Sequence, residues 1–334
     1  MSYIRFTTMK ILLLSLFFVT TSIFAKNRLL LGEFPLKGDV DHAVVDGDTI
    51  KVEGLDASIR ILFIDTEESH KHASAARKTK ELADNWDEYL ESKMYKVVDK
   101  PVKFNTPLGY QATLWARDFF RGSSIVRLEY DSTSTKKGYF KRYLTYVFAK
   151  KGDKWVNFNI EIVKHGYTPY STKYGRSRRF HKEFVAAQKF AKKSKLGVWS
   201  KDGKHYPDYD VRLKWWDKRG EQIDDYRKNG KGKYYFIGGN DYDYYKLKKF
   251  IGKKFKAFGL IRSVEESANE YTFKLPFKQF VDVIVHVSKK AGISLNKLRK
   301  HQDYYAYITG KVKQDHNNKF HIYVSRQKEI KFFK

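Results

Sequence analysis

The chain contains no cysteine in its 334 residues. Thiol nucleophiles, disulfide frameworks and cysteine-bound zinc are therefore excluded. Its ten histidines form no H-x-K pair, which removes a histidine nucleophile of the phospholipase-D type. There is no H-E-x-x-H and no Walker-type glycine loop. Long apolar runs are missing as well. The strongest, Ile11 to Val19, is too short for a comfortable membrane span. Acidic side chains are scarce: 66 lysines and arginines face 38 aspartates and glutamates, a formal charge of +28. Such a charge says little about fold, but it draws polyanions from a distance.

What is there begins between His42 and Glu68. Asp46-Gly47 supplies turn chemistry, Thr49 to Val52 is β-branched and alternating, and Ile59 to Ile64 is a strongly apolar strand. A reversal centred near Leu55 to Ala57 folds the two strands together and sets Asp48 across from Asp65, about 5 Å apart. Two carboxylates that close repel each other unless a cation lies between them. With no cysteine and no adjacent histidine, a hard cation on oxygen ligands is the natural occupant. Arg60 lies in the same hairpin and Glu68 just beyond it, adding a cation for an anionic substrate and a spare carboxylate for water.

The stretches V45-D46-G47-D48-T49-I50 and R60-I61-L62-F63-I64-D65-T66-E67-E68 resemble the hallmark hairpin of the staphylococcal-nuclease family, with Glu67 in place of the usual proline. The match R142-Y143-L144-T145-Y146-V147 is similar to the family's second arginine segment, with Tyr143 for its glycine. Leu196-Gly197-Val198-Trp199-Ser200 resembles its closing motif. The resemblance covers about residues 36–200 and leaves an insertion, 69–107, unaccounted for. It implies a five-stranded OB-fold barrel and calcium-dependent hydrolysis of DNA and RNA at the 5′ P–O bond. Calcium would be held by Asp48, Asp65 and the Thr66 carbonyl. Glu68 would act on the attacking water, and Arg60 and Arg142 would grip the phosphoryl oxygens. Tyr174 is the substrate-side candidate, in a region where the family places tyrosines against the nucleotide.

Residues 1–25 read as a signal peptide: a basic start at Arg5 and Lys10, an apolar core and a small-residue end near Ala25. Its removal takes away two basic residues and leaves +26. The mature protein is expected to be exported, secreted or in the cell envelope, and monomeric, with no obligate protein partner and no membrane insertion unless the signal stays uncleaved. His70 and His72 are expected to be solvated. Leu108 to Phe120 has the periodicity of an amphipathic helix. Ser124 to Tyr130 and Gly138 to Phe148 read as strands, and His181 to Lys195 as a helix.

A connector, 201–248, with one helix around Val211 to Tyr226, leads to a strand-rich region, 249–334. Five strands are expected there, at 255–264, 271–275, 280–287, 304–312 and 319–324, with a helical piece at 295–301 between the third and fourth. That plan is an OB-like barrel, so the chain as a whole is mainly β with α (α+β). Lys253, Lys254, Lys256, Lys311 and Lys313 flank its strands, and Tyr304, Tyr305 and Tyr307 offer aromatic faces for nucleic acid, although alternation turns some of these rings into the core. His286, His316 and His321 are read as structural or solvated. A chain ending at Ser200 is expected to keep its turnover. The alternative function is a non-catalytic nucleic-acid-binding protein of two OB-like modules. Adhesion to acidic polymers would explain the charge but not the hairpin.

Overall fold

The computed structural model describes residues 29–94, 101, 103–238, 241–278 and 281–333; the expected signal segment lies outside them. Chain order gives β1 (Leu30–Pro35), α1 (Val40–Ala43), β2 (Val44–Asp46), β3 (Thr49–Ile50) and β4 (Ile59–Ile61). The insertion carries α2 (Ala75–Asp84) and α3 (Trp86–Met94), and α4 (Pro107–Phe120) follows. Next come β5 (Ile125–Glu129), β6 (Tyr143–Lys151), β7 (Lys154–Asn157), α5 (Phe158–Lys164) and α6 (His181–Lys193). The 17-residue helix α7 (Tyr209–Asp225) ends in a π-turn, Tyr226–Gly230, before β8 (Tyr235–Phe236) and α8 (Asp241–Lys246). The last elements are β9 (Lys254–Leu260), β10 (Arg262–Glu266), β11 (Glu270–Lys278), β12 (Val281–Ser288), α9 (Leu295–Lys300), β13 (Tyr305–Gln314), β14 (Phe320–Val324) and β15 (Ile330–Phe332).

The result is a mixed α+β chain with two curled sheets. The first runs β1-β5-β6-β4-β3-β2 with β7 on β6; the second runs β10-β11-β12-β14-β13-β9-β8 with β15 on β13. One plan is used twice. In each sheet the first strand is broken in two, and its halves lie apart in the strand order. In each, the third strand pairs in parallel with the last long one, β4 with β6 and β12 with β14. The first break is the short α1 helix, capped by Asp39. The second is at Ile261, fully buried, with Ser263 in the left-handed region. A bridge between Leu36 and Val52 ties the end of β1 to the chain just past β3.

Alternation explains the strands, and their apolar faces fill the cores. Val44, Ile50, Ile59, Val126, Leu128 and Val147 point into the first core against Phe120, Phe158 and Phe184 from the helices. Phe273, Leu275, Val283, Val285, Ile308 and Ile322 build the second. His286 and His321 lie on the second sheet in a hydrogen-bonded row from Glu270 to Asp315, with contacts of 2.8, 2.9 and 3.2 Å. Among the described residues no three histidine, aspartate or glutamate side chains converge as a metal cluster.

Helix α7 is buried on two sides. Toward the second sheet, Ile223 packs with Phe258, Tyr305 and Tyr307. Gln222 accepts from Tyr305 N at 2.9 Å, and Asp225 accepts from the Tyr307 hydroxyl at 2.7 Å. Toward the first sheet, Asp217 accepts from Thr172 at 3.0 Å and Asp224 pairs with Arg176 at 2.7 Å. Tyr305 and Tyr307 are therefore the rings that point into the core, 5% and 4% exposed, as alternation requires of some of the three tyrosines.

Candidate active site

The hairpin pairs in a different register from the one expected. Thr49 faces Arg60 and Ile50 faces Ile59, so Asp48 lies beside Ile61, whose N–H it accepts at 2.9 Å. Asp65 is not its cross-strand partner. The second strand stops at Ile61, because Phe63 takes a left-handed backbone (φ 62°) and turns the chain away. That turn is held from outside: Asn159 donates to Leu62 O at 2.8 Å and Ser171 N to Phe63 O at 2.8 Å. The two aspartates meet through the turned loop and not through the ladder.

They meet on one guanidinium. Arg60 pairs with Asp48 through Nη1 and with Asp65 through Nη2, the latter at 2.5 Å. Both carboxylates are buried, 5% and 3% exposed in their side chains. Asp48 also accepts from Thr49 Oγ1 at 3.1 Å and from Thr66 N at 3.1 Å. Asp65 holds two ammonium groups, Lys173 at 2.6 Å and Lys103 at 3.2 Å. Burial pushes its carboxyl up, but Lys173, Lys103 and Arg60 outweigh that and hold it far below the ordinary carboxylate range. Glu68 stands at the rim, 43% exposed in its side chain, 3.0 Å from Lys103.

Arg142 precedes β6 instead of lying within it. Lys141 before it is left-handed (φ 61°), which aims the arginine at the site. It reaches Thr49 Oγ1 at 3.5 Å, and among the described residues no carboxylate pairs with it. Burial, then the nearby Arg60, pull its pKa below the ordinary arginine value. A half-buried guanidinium with no paired carboxylate has the chemistry to bind an anion. Tyr174 is 67% exposed. Lys173 sits 5.3 Å from its ring centre, and Arg219, also at 5.3 Å, supports the ring from α7. The nearby Lys173, and more weakly Arg219, hold its phenol below the usual value.

Two residues were not singled out in the sequence, Lys103 and Lys173; Glu67 was noted there only as the replacement for the family's proline. The lysines carry no motif; only the fold brings the insertion and the segment before Tyr174 to Asp65. Glu67, at the position of the family's proline, is buried, and burial raises its pKa against the bonds it accepts. It accepts from Thr106 Oγ1, from Tyr206 N at 2.7 Å and from the Tyr209 hydroxyl at 2.7 Å. Tyr206 in turn receives Glu68 N at 3.2 Å. Gly109 completes the arrangement, since a Cβ there would sit 2.3 Å from Glu68 O; only glycine lets α4 lie this close to the loop. His70 contacts Asn105 at 3.2 Å and His72 is exposed; neither lines the groove described next.

All seven expected residues, Asp48, Arg60, Asp65, Thr66, Glu68, Arg142 and Tyr174, line one groove of about 2020 Å³. Lysines and arginines outnumber acids along it. The donors facing Arg60 are hard oxygens, Asp48 and Asp65 beside the Thr66 backbone, with no nitrogen or sulfur among them. That set fits a calcium-type ion by its chemistry, with Arg60, Lys103 and Lys173 as competing cations.

Curled sheets around buried carboxylates, with one arginine, Arg142, lacking a carboxylate partner among the described residues, make a groove suited to an anion. A family model described as staphylococcal nuclease homologue matches residues 58–201, and the chain belongs to that family. It is 30% identical over 159 residues to an uncharacterised protein of Methanocaldococcus jannaschii, covering 47% of this chain and 69% of that protein. An uncharacterised protein of Bacillus anthracis is 28% identical over 181 residues, 54% of this chain and 68% of the relative. The matched stretch holds Arg60, Asp65, Glu68 and Arg142; Asp48 precedes it.

Proposed function

We propose that the protein is an exported, calcium-dependent nuclease that hydrolyses phosphodiester bonds of DNA and RNA. The carrying observation is the meeting of Asp48, Asp65 and Arg60 in one groove with an unpaired Arg142 and a rim carboxylate, Glu68. Arg142 and Arg60 grip the non-bridging oxygens of the phosphate as charge builds there. Glu68 takes the proton of the attacking water, and its exposure gives that water access. Tyr174 stands beside the substrate. Asp48, Asp65 and the Thr66 carbonyl would hold calcium, which when bound polarises a phosphoryl oxygen and acidifies nearby water.

The reading takes residues 36–200, with the 69–107 insertion, as the nuclease unit. Residues 201–248 are the connector and 249–334 a second module. It takes each sheet as an OB-type five-stranded barrel, an assignment supported by the shared strand order and the parallel closing pair. Export rests on the N-terminal pattern of Arg5, Lys10 and the apolar run after it, and the active species is taken as a monomer. The test is incubation of the purified protein with plasmid DNA and with total RNA, in calcium or in chelator. Cleavage in calcium alone supports the proposal; equal cleavage in both overturns the calcium dependence, and none in either overturns the activity.

Lys103 adds a prediction about the metal. Its ammonium bridges Asp65 and Glu68 at 3.2 and 3.0 Å, where it opposes any incoming cation. Lys103→Met is expected to tighten calcium binding by roughly tenfold, read by calorimetric titration of the substrate-free protein. Unchanged or weaker binding would show that the lysine does not compete.

A further inference from the structure

The groove does not end at the active site. It continues past Tyr226, Arg227 and Lys231 at the end of α7 and reaches the second sheet at Arg262 on β10 and Lys274 and Lys278 on β11. The lysines expected to face nucleic acid from the second sheet, Lys253, Lys254, Lys256, Lys311 and Lys313, are not among its lining residues. The basic track therefore crosses the β10–β11 face.

Two large rings stand open in the same groove beside the catalytic centre. Phe140 is 58% exposed and Tyr174 is 67% exposed. The Arg142 guanidinium lies 5.8 Å from the Phe140 ring centre. Exposed rings next to cations that bind phosphate suit bases that are unpaired, because every unpaired base offers a face for stacking. In a duplex those faces are already stacked on neighbouring bases. The charge beyond the rings then follows the backbone of the same strand.

We infer that the groove is a track for one unpaired nucleic-acid strand, held at the reacting phosphate by the first sheet and gripped downstream by the basic face of the second. The inference rests on the nuclease reading and adds to it one surface: the β10–β11 face of the second sheet as a downstream grip on the strand. Linking the two grips makes the second contact intramolecular, so affinity for a long strand exceeds affinity for a short one without any change in chemistry.

The experiment compares the full chain with the triple variant Lys231→Gln, Lys274→Gln, Lys278→Gln. A control variant removes the same charge outside the groove: Lys253→Gln, Lys311→Gln, Lys313→Gln. On a single strand of about 20 nucleotides, longer than the roughly 4–16 of one module, the groove variant should raise KM about tenfold with kcat unchanged. A dinucleotide-length substrate should be cleaved equally by all three proteins. The salt dependence of binding to an uncleavable single strand should fall by about 2 in log–log slope, at roughly 0.7 per lost phosphate contact, and the control should keep its slope. An unchanged KM in the groove variant, an equal rise in the control, or an effect confined to duplex substrates would overturn the inference. If no protein cleaves anything, the nuclease reading fails. Binding of the uncleavable strand then still decides the groove: affinity lost in the groove variant alone supports the track, and equal affinity in all three overturns it.

Discussion

Arg142→Gln is expected to lower kcat by roughly 10²- to 10³-fold while leaving the melting temperature unchanged. The expectation follows from the partners it lacks. No carboxylate among the described residues pairs with Arg142, so its removal leaves no buried charge exposed to loss. What disappears is the donor pair that meets the phosphoryl oxygens as charge accumulates. Arg60→Gln makes the instructive contrast. Arg60 bridges two buried carboxylates; Asp65 keeps its lysines, but Asp48 loses the cation it pairs with. Breaking a buried pair in that way costs about 3–5 kcal/mol, so the second variant should lose stability as well as rate. Thermal melts beside steady-state kinetics separate the two. A melt shift as large for Arg142→Gln as for Arg60→Gln would contradict the assignment of separate roles.

The second large effect lies outside the motif. Glu67→Ala is expected to destabilise the protein by about 3 kcal/mol or more, because three buried donors lose their acceptor at about 1–3 kcal/mol each. The donors are Thr106 Oγ1, Tyr206 N and the Tyr209 hydroxyl. One comes from the end of the insertion and two from the chain beyond Ser200. Both segments are thus fastened to the loop that carries Asp65, Thr66 and Glu68. Ending the chain at Ser200 removes Tyr206 and Tyr209 together with α7, which holds Thr172 and Arg176. Such a truncated chain is expected to lose activity outright, contrary to the preserved turnover that the sequence alone suggests. Denaturant unfolding of Glu67→Ala and an activity assay of the truncated chain check both statements. Wild-type stability in the first, or wild-type kcat in the second, would sink them.

These two cases also show what was legible in the residues. The strands and helices follow hydrophobic alternation and 3–4 periodicity closely enough that α4 (Pro107–Phe120) and β11 (Glu270–Lys278) fall where the pattern puts them. Asp48, Arg60, Asp65, Thr66 and Glu68 could be grouped because one hairpin carries them, whereas Arg142 and Tyr174 joined them only through the family resemblance. The register could not be read. It depends on where the second strand stops, and that is decided by Asn159 and Ser171, about a hundred residues away, holding Leu62 and Phe63. The lysines on Asp65 escaped for the same reason: Lys103 and Lys173 lie 38 and 108 residues from it. Which of Tyr304, Tyr305 and Tyr307 turn inward could not be read, because alternation shows two faces of a strand and not which face a distant helix will cover. α7 covers that of Tyr305 and Tyr307.

The central claim is that this groove hydrolyses phosphodiester bonds with Glu68 acting on the water, and one comparison tests it most directly. Wild type and Glu68→Gln are mixed in excess over an end-labelled oligonucleotide in calcium, and the rate of a single turnover is measured beside the affinity for an uncleavable analogue. The Glu68 side chain is 43% exposed and pairs with Lys103 at the rim, so the change to glutamine should leave the fold intact. The account predicts a rate lower by roughly 10²- to 10⁴-fold at an affinity within about twofold of wild type. Cleavage by Glu68→Gln at the wild-type rate, or no cleavage by the wild type, would contradict it.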